Sequence, residues 1–374
     1  MLKDWPEPEL FWWSCLPDQG ERFGQRVQEA RYATIPARFY PYRRLARFKS
    51  LFLETLWSRV AAGHLRRMLR DVVPDAVWVI PHNWSIVPVA KVMADPRHKF
   101  HITVQDYVDV HNNPQRFGVG RCRRMAAMVD GLYSRAVTRD ATSHPMIADL
   151  LAHTGKDAAQ MLHAGLERAD FDFLEHKVPG KSPAVRIAYA GTILVEDVFE
   201  LFVAAVESIR GTLAKPVEIH LYGAHTYAGR RWFRRDWMVE HGILSEPELR
   251  AKLRECDWGF APMSLTDSDH RYNRFSFPTK FITCLAAGLP LITLGHPESA
   301  VMKMAAQYPV GFASSSREKE TLAVQLKAAL EMHSPWEQYA PEIKHCARKE
   351  FNAERMRRTL YACFQKCAEQ GPRR

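Results

Sequence analysis

Long apolar runs are absent from this 374-residue chain. No stretch approaches the roughly 20 consecutive apolar residues that cross a bilayer, so no transmembrane helix is expected. The seven cysteines are scattered. They form no C-x-x-C and no pairing of metal-ligand spacing, so they read as reduced thiols of a cytoplasmic protein rather than a disulfide framework. The opening MLKDWPEPELFWW has early acids and only a short apolar run, unlike a secretory signal. Internal repeats are missing too. Acidic residues are outnumbered, with 42 Asp and Glu against 52 Lys and Arg, a formal net charge of +10.

That excess is uneven. Arg22 to Arg70 holds twelve basic residues against Glu29 and Glu54. Phe39, Tyr40, Tyr42, Leu45, Phe48, Leu51, Phe52, Leu56 and Trp57 are interleaved with them. Charge attraction and shallow burial together suit the surface of an anionic membrane, with Arg43, Arg44, Arg47 and Lys49 as the expected contacts. An ordinary basic helix packing its apolar face inward has the same composition. Nucleic acid is not an expected partner, because no recognition motif for it is present.

What is present is alternation. Glu9–Leu16, Ala76–Ile80 and Phe100–Val104 read as strands in the first half, with Leu51–Arg70 an amphipathic helix and Arg121–Thr138 another. Val185–Thr192, Val217–Tyr222 and Asp257–Ala261 read as strands in the second half, with helices at Phe199–Arg210, from Ser245, and at Phe351–Cys367. HKVPGKSP, residues 176–183, reads as a linker. Strands and helices alternating in both halves predict an α/β chain of two doubly wound domains. Open α/β sheets bind ligands at the carboxyl ends of their strands. His82 and Asn83 follow one such strand, and Gln105, Asp106 and Asp109 follow another; turn and cap residues have the same types. Gly191, Thr192 and Gly223 end strands of the second half.

The most informative stretch is RYNRFSFPTKFITCLAAGLPLITLG, residues 271–295. Ser276 is suited to cap a helix and Pro278 to its first turn. Phe281, Ile282, Leu285 and Ala286 recur at helical spacing, Gly288 and Pro290 end the helix, and Leu291–Leu294 reads as a buried strand. A helix N-terminus favours an anion, so a cation at Lys280 in the first turn makes sense if an anionic ligand sits there.

S-F-P-T-K-F-x-x-x-L-A-A-G-L-P-L-I, from Ser276 to Ile292, resembles the donor-binding segment of GT-B glycosyltransferases of the family 4 type, in its P-[ST]-K variant. The likeness extends over most of Val185–Gly311 and only loosely over the N-terminal half. It implies a GT-B fold of two Rossmann-like domains facing across a cleft. An acceptor-binding domain would cover 1–178 and a nucleotide-sugar-binding domain 179–348, with 349–374 a helix crossing back. It implies sugar transfer from a nucleotide-diphosphate sugar to a glycan or polyprenyl-linked acceptor, in cell-surface polysaccharide or glycoconjugate synthesis. No cofactor or metal would be needed, because helix dipole, backbone donors and cations stabilise the leaving diphosphate. The implied place of work is the cytoplasm, peripheral on the inner face of the plasma membrane.

By the same resemblance, Lys280 and Thr279 hold the diphosphate, with Arg271 and Arg274 as further cations and Phe277 near the base or ribose. Gly191, Thr192 and Gly223 lie beside the donor. His82, Asp106 and Asp109 are the catalytic candidates, and Asn83 and Gln105 line the acceptor side. The chain departs from the family pattern in three places. Gln105 replaces a His or Tyr; Thr192, Ile193 and Glu196 occupy the region where an Arg and Lys grip the diphosphate; and Phe275 and Thr283 replace paired glutamates. A nucleotide-sugar epimerase, or a non-catalytic subunit binding a glycan or partner enzyme, would use the same fold. Asp267-Ser268-Asp269 offers a rival D-x-D metal site.

Overall fold

The computed structural model describes residues 2, 5, 9–15, 31–34, 46–106, 117–178, 182–266 and 270–371. Asp109, Asp267, Asp269, Arg43 and Arg44 lie outside them, and at Arg47 and Asn83 only the backbone is described. The chain divides into two compact units, Met1–Leu162 with Arg355–Arg374, and His163–Glu354. Among the described residues no helix is long and apolar enough to cross a membrane. All seven cysteines are free, and all but Cys15 are buried.

The first unit is built on a parallel sheet of order β3-β4-β5, with β3 at Val77–Val79, β4 at Phe100–Val104 and β5 at Thr138–Ala141. A separate parallel pair joins β1 (Phe11–Ser14) to β2 (Arg31–Thr34). Central β4 is buried along its whole length, as expected of a strand covered on both faces. Two of its buried residues are polar, and their neighbours satisfy them. His101 Nε2 lies 3.1 Å from Asp140 Oδ2, and its Nδ1 lies 2.9 Å from Thr138 Oγ1. Trp78 Nε1 donates to Thr103 Oγ1 at 2.8 Å. The last helix, Ala353–Glu369, closes over this polar strip. Phe364 meets the His101 ring, and Met356, Leu360 and Phe364 cluster with Leu162, Trp5 and Trp78.

The expected helix at 121–138 instead runs Val119–Arg135, because the chain turns there into β5. Arg139 folds back onto the Tyr133 and Ala136 carbonyls and so satisfies the helix end. Helix Ala46–Phe52 passes through a π turn, Leu53–Trp57, into helix Ser58–Val72. Leu53, Trp57, Ala61, Ala62, Leu65 and Leu69 are buried on its inner side.

The second unit carries a six-stranded, wholly parallel sheet. Its strands are β6 (Val185–Ala190), β7 (Val217–Tyr222), β8 (Met238–Glu240), β9 (Trp258–Pro262), β10 (Leu291–Leu294) and β11 (Gly311–Ser314). The order β11-β10-β9-β6-β7-β8 reverses direction between β6 and β9, which makes their carboxyl ends the switch point where doubly wound sheets bind ligands. An aromatic core of Tyr189, Phe199, Phe202, Trp232, Trp258 and Phe260 holds the sheet to its helices. Phe202 stacks on Phe260 at 4.0 Å.

Residues 163–178, which sequence assigns to the first domain, make their contacts with this unit. His163 Nε2 donates to Phe277 O at 2.9 Å, and Asp170 pairs with Arg250. The Leu166 and Ala353 amides bond the Phe351 and Leu166 carbonyls, so residues 349–354 also pack here. The compact units meet in sequence at Leu162 and Glu354, whereas the sequence reading draws its domains at 178 and 348.

Candidate functional site

The key helix of the second unit is Thr279–Ala286. It is brought close to the sheet by Gly259 in β9, where an added Cβ would fall 2.5 Å from Cys284 Sγ. Its C-terminus is satisfied. Gly288 adopts φ +65, the Leu289 amide bonds Cys284 O at 2.9 Å, and Lys177 Nζ donates to Ala287 O at 3.2 Å. Burial lowers the Lys177 pKa to about 8, yet the negative end of the helix dipole favours its charge.

The N-terminus differs. Pro278, not Ser276, is the N-cap, and no side chain caps the turn. Ser276 is instead buried with its Oγ unpartnered, and its amide bonds Tyr272 O at 2.9 Å, so it closes the preceding helix rather than opening this one. Lys280 Nζ donates to Tyr189 Oη at 2.9 Å and lies 4.7 Å from that ring's centre. Tyr189 Oη in turn donates to Thr192 O at 2.7 Å. This chain ties the loop after β6 to the helix start. Lys280 has no carboxylate partner among the described residues, and burial lowers its pKa to about 8. A cation removed from water and facing the positive end of a helix is electrostatically unsatisfied.

The glycine loops meet beside it. Gly191 has φ +109, where other residues are strained, and its amide bonds Tyr222 O at 2.7 Å. A Cβ on Gly223 would lie 3.0 Å from Gly191 O, so the loops after β6 and β7 touch backbone to backbone. Gly191, Thr192 and Thr279 are exposed, and Ile193 is held by its amide bonding Tyr227 Oη at 3.0 Å. Beyond β9, Asn273 Nδ2 donates to Ser264 O at 3.1 Å and Thr266 O at 3.2 Å, fixing that loop.

Other expected residues have other roles. Phe277 is 5% exposed, packed against His163, Phe281 and Phe351, and is a core ring rather than a surface that a base could reach. Arg271 and Arg274 lie on the short helix His270–Phe275; the Lys303 hydrogen bond and charge, and more weakly the charge of Arg274, hold the Glu298 carboxyl below its usual range. Phe275 is buried, and Thr283 Oγ1 back-bonds to Thr279 O at 3.2 Å, so neither supplies a carboxylate. Glu196 accepts from Trp232 Nε1 at 3.0 Å and pairs with Arg230.

In the first unit, His82 and Asp106 sit at the ends of the paired strands β3 and β4. Burial lowers the His82 pKa, and the Asp106 charge opposes that shift. Gln105 is exposed, with its carbonyl accepting from Thr142 Oγ1. Asn83 opens a 3-10 turn, Asn83–Ser85. Tyr189, His163 and Asn273 escape sequence reasoning. Tyr189 reads as one more strand residue, and nothing in the chain signals that its hydroxyl meets a lysine 91 positions away.

No family model matches the chain, and none of the curated proteins does. Solved structures do match. Sucrose-phosphate synthase of Thermosynechococcus elongatus has a TM-score of 0.64 at 14% identity, over 95% of this chain and 88% of that one. Trehalose-6-phosphate synthase of Burkholderia multivorans has a TM-score of 0.63 at 13% identity, over 92% and 87%. Anabaena HepE, solved with UDP-glucose, has a TM-score of 0.59 at 12% identity, over 96% and 97%. Such identities speak to fold alone. The fold is GT-B, an α/β architecture with parallel Rossmann-like sheets.

Proposed function

We propose that the chain is a glycosyltransferase of the family 4 type, moving a sugar from a nucleotide-diphosphate sugar to a glycan or lipid-linked acceptor in the cytoplasm, without a metal. The observation that carries this reading is Lys280, a desolvated cation without a carboxylate at an uncapped helix start, beside the Gly191–Gly223 contact. A diphosphate would accept from the first-turn N–H groups, Thr279 and Lys280, and the close-packed glycine loops leave room for it. As the glycosidic bond breaks, negative charge grows on the leaving diphosphate, and a preorganised cation stabilises it most at that moment. Arg271 and Arg274 add positive charge nearby.

On the acceptor side, His82 is assigned as the base, with the Asp106 charge acting on it and Asp109 a further catalytic candidate from sequence. Its lowered pKa keeps the imidazole neutral near pH 7 and able to take a proton. UDP is the first nucleotide to try, since HepE was solved with UDP and with UDP-glucose. The test is release of free nucleoside diphosphate from a donor panel, with and without acceptor. Acceptor-dependent release supports transfer. Interconversion of the nucleotide sugar without release would make the protein an epimerase, and binding with neither a non-catalytic subunit.

A further inference from the structure

The outer face of the helical stretch Ala46–Val72 is built the wrong way round for water. Phe48, Leu51, Leu56 and Val60 are 69%, 51%, 57% and 63% exposed, while the side facing the unit's interior already buries Leu53, Trp57, Ala61, Leu65 and Leu69. The exposed four form one stripe because of the π turn Leu53–Trp57. One extra residue in a turn rotates all that follows by about 100°. Val60, which follows the turn, would stand about 120° from Phe48 on an unbroken α-helix, and the extra residue brings that to about 20°. Leu56, within the turn, is exposed as well.

Charge on this face is of one sign. Arg59, Arg66, Arg67 and Arg70 are exposed along or beside the stripe, and Lys49 is partly exposed at its start. Among the described residues Arg59, Arg67 and Arg70 form no ion pair. The carboxylate within the stretch, Glu54, is turned inward to Arg121 and Arg124, so no acid interrupts the face before Asp71 in the last turn. Burial lowers the Lys91 pKa, and the charges of Arg59 and Arg66 add to that lowering.

From this arrangement we infer that the Phe48–Arg70 face is an interfacial anchor that lies on an anionic phospholipid surface. The four apolar side chains enter the headgroup boundary, and the arginines bind lipid phosphates at either side. An apolar stripe bordered by cations, with its polar partner withdrawn to the interior, matches a bilayer interface in both shape and charge. Duplex nucleic acid would reward the arginines but not the four exposed apolar groups. The anchor stands independently of sugar transfer, since vesicle binding requires no catalysis.

The experiment is co-sedimentation of the full chain with phosphatidylcholine vesicles made with and without phosphatidylglycerol. The protein is expected to bind the anionic vesicles and not the neutral ones, and to release as salt is raised. Two variants separate the parts: Phe48→Ser with Leu56→Ser and Val60→Ser, and Arg59→Glu with Arg67→Glu and Arg70→Glu. Each should lose at least tenfold in affinity for anionic vesicles while its thermal melt is unchanged, because all six side chains are exposed. Equal binding to neutral vesicles, wild-type binding by either variant, or binding to duplex DNA without binding to vesicles would overturn the inference.

Discussion

Replacing Lys280 by methionine should stabilise the ligand-free protein and abolish its affinity for nucleoside diphosphate. Methionine keeps the aliphatic stem, so packing against Tyr189 survives while the charge is removed. Burial lowers the lysine pKa from 10.5 to about 8, which makes the charged form about 3 kcal/mol worse off than in the unfolded chain. The lost hydrogen bond to Tyr189 Oη offsets about 1 kcal/mol of that, so a net gain of about 2 kcal/mol is expected at pH 7. The sign with pH follows from proton counting. Between about pH 8 and 10.5 the unfolded chain holds a proton that the folded one has released, so this lysine's penalty fades as pH rises. The variant's advantage should therefore be full below about pH 8 and shrink above it. Urea unfolding at pH 7 and at pH 9.5, with and without UDP, measures both effects. In wild type UDP should raise the midpoint by mass action, and in the variant it should not. A variant less stable than wild type at every pH, or one still stabilised by UDP, would refute the reasoning.

Diphosphate binding to wild type should take up a proton above about pH 8, because the anion restores the charged lysine; calorimetric enthalpies in Tris and HEPES should then differ, and equal enthalpies would argue against it. Gly223→Ala should push the Gly191–Thr192 loop out of place and weaken UDP binding about tenfold in calorimetry, with little change in thermal melting. Turnover should survive EDTA; complete loss restored by magnesium or manganese would instead favour Asp267 and Asp269. In the first unit, Asp140→Ala leaves buried His101 Nε2 without its carboxylate and should cost about 2 kcal/mol, read as a lower urea midpoint without loss of UDP binding.

The sequence by itself determined the local events. The alternation of apolar runs located β4, β6, β7, β9 and β10, because strand burial is written in side-chain type. Gly288 and Pro290 marked a helix end that the structure keeps, because a positive φ there is a local demand that glycine meets. Periodicity also found the helix around Leu51–Arg70, but a regular period could not reveal the π turn within it, and so could not sort Leu56 and Val60 outward from Trp57 inward. The choice of Ser276 as the cap failed for a related reason. Its residue type suits an N-cap, but the helix begins after Pro278, and burial left the Ser276 Oγ without a partner. Only the tertiary structure decided what depends on distance through space. Three strands and 91 positions separate Tyr189 from Lys280, yet their hydrogen bond makes the loop and the helix start one unit. Burial of Phe277 against Phe351, and the desolvation that unsettles the charge on Lys280, are likewise properties of neighbours that the chain order does not name.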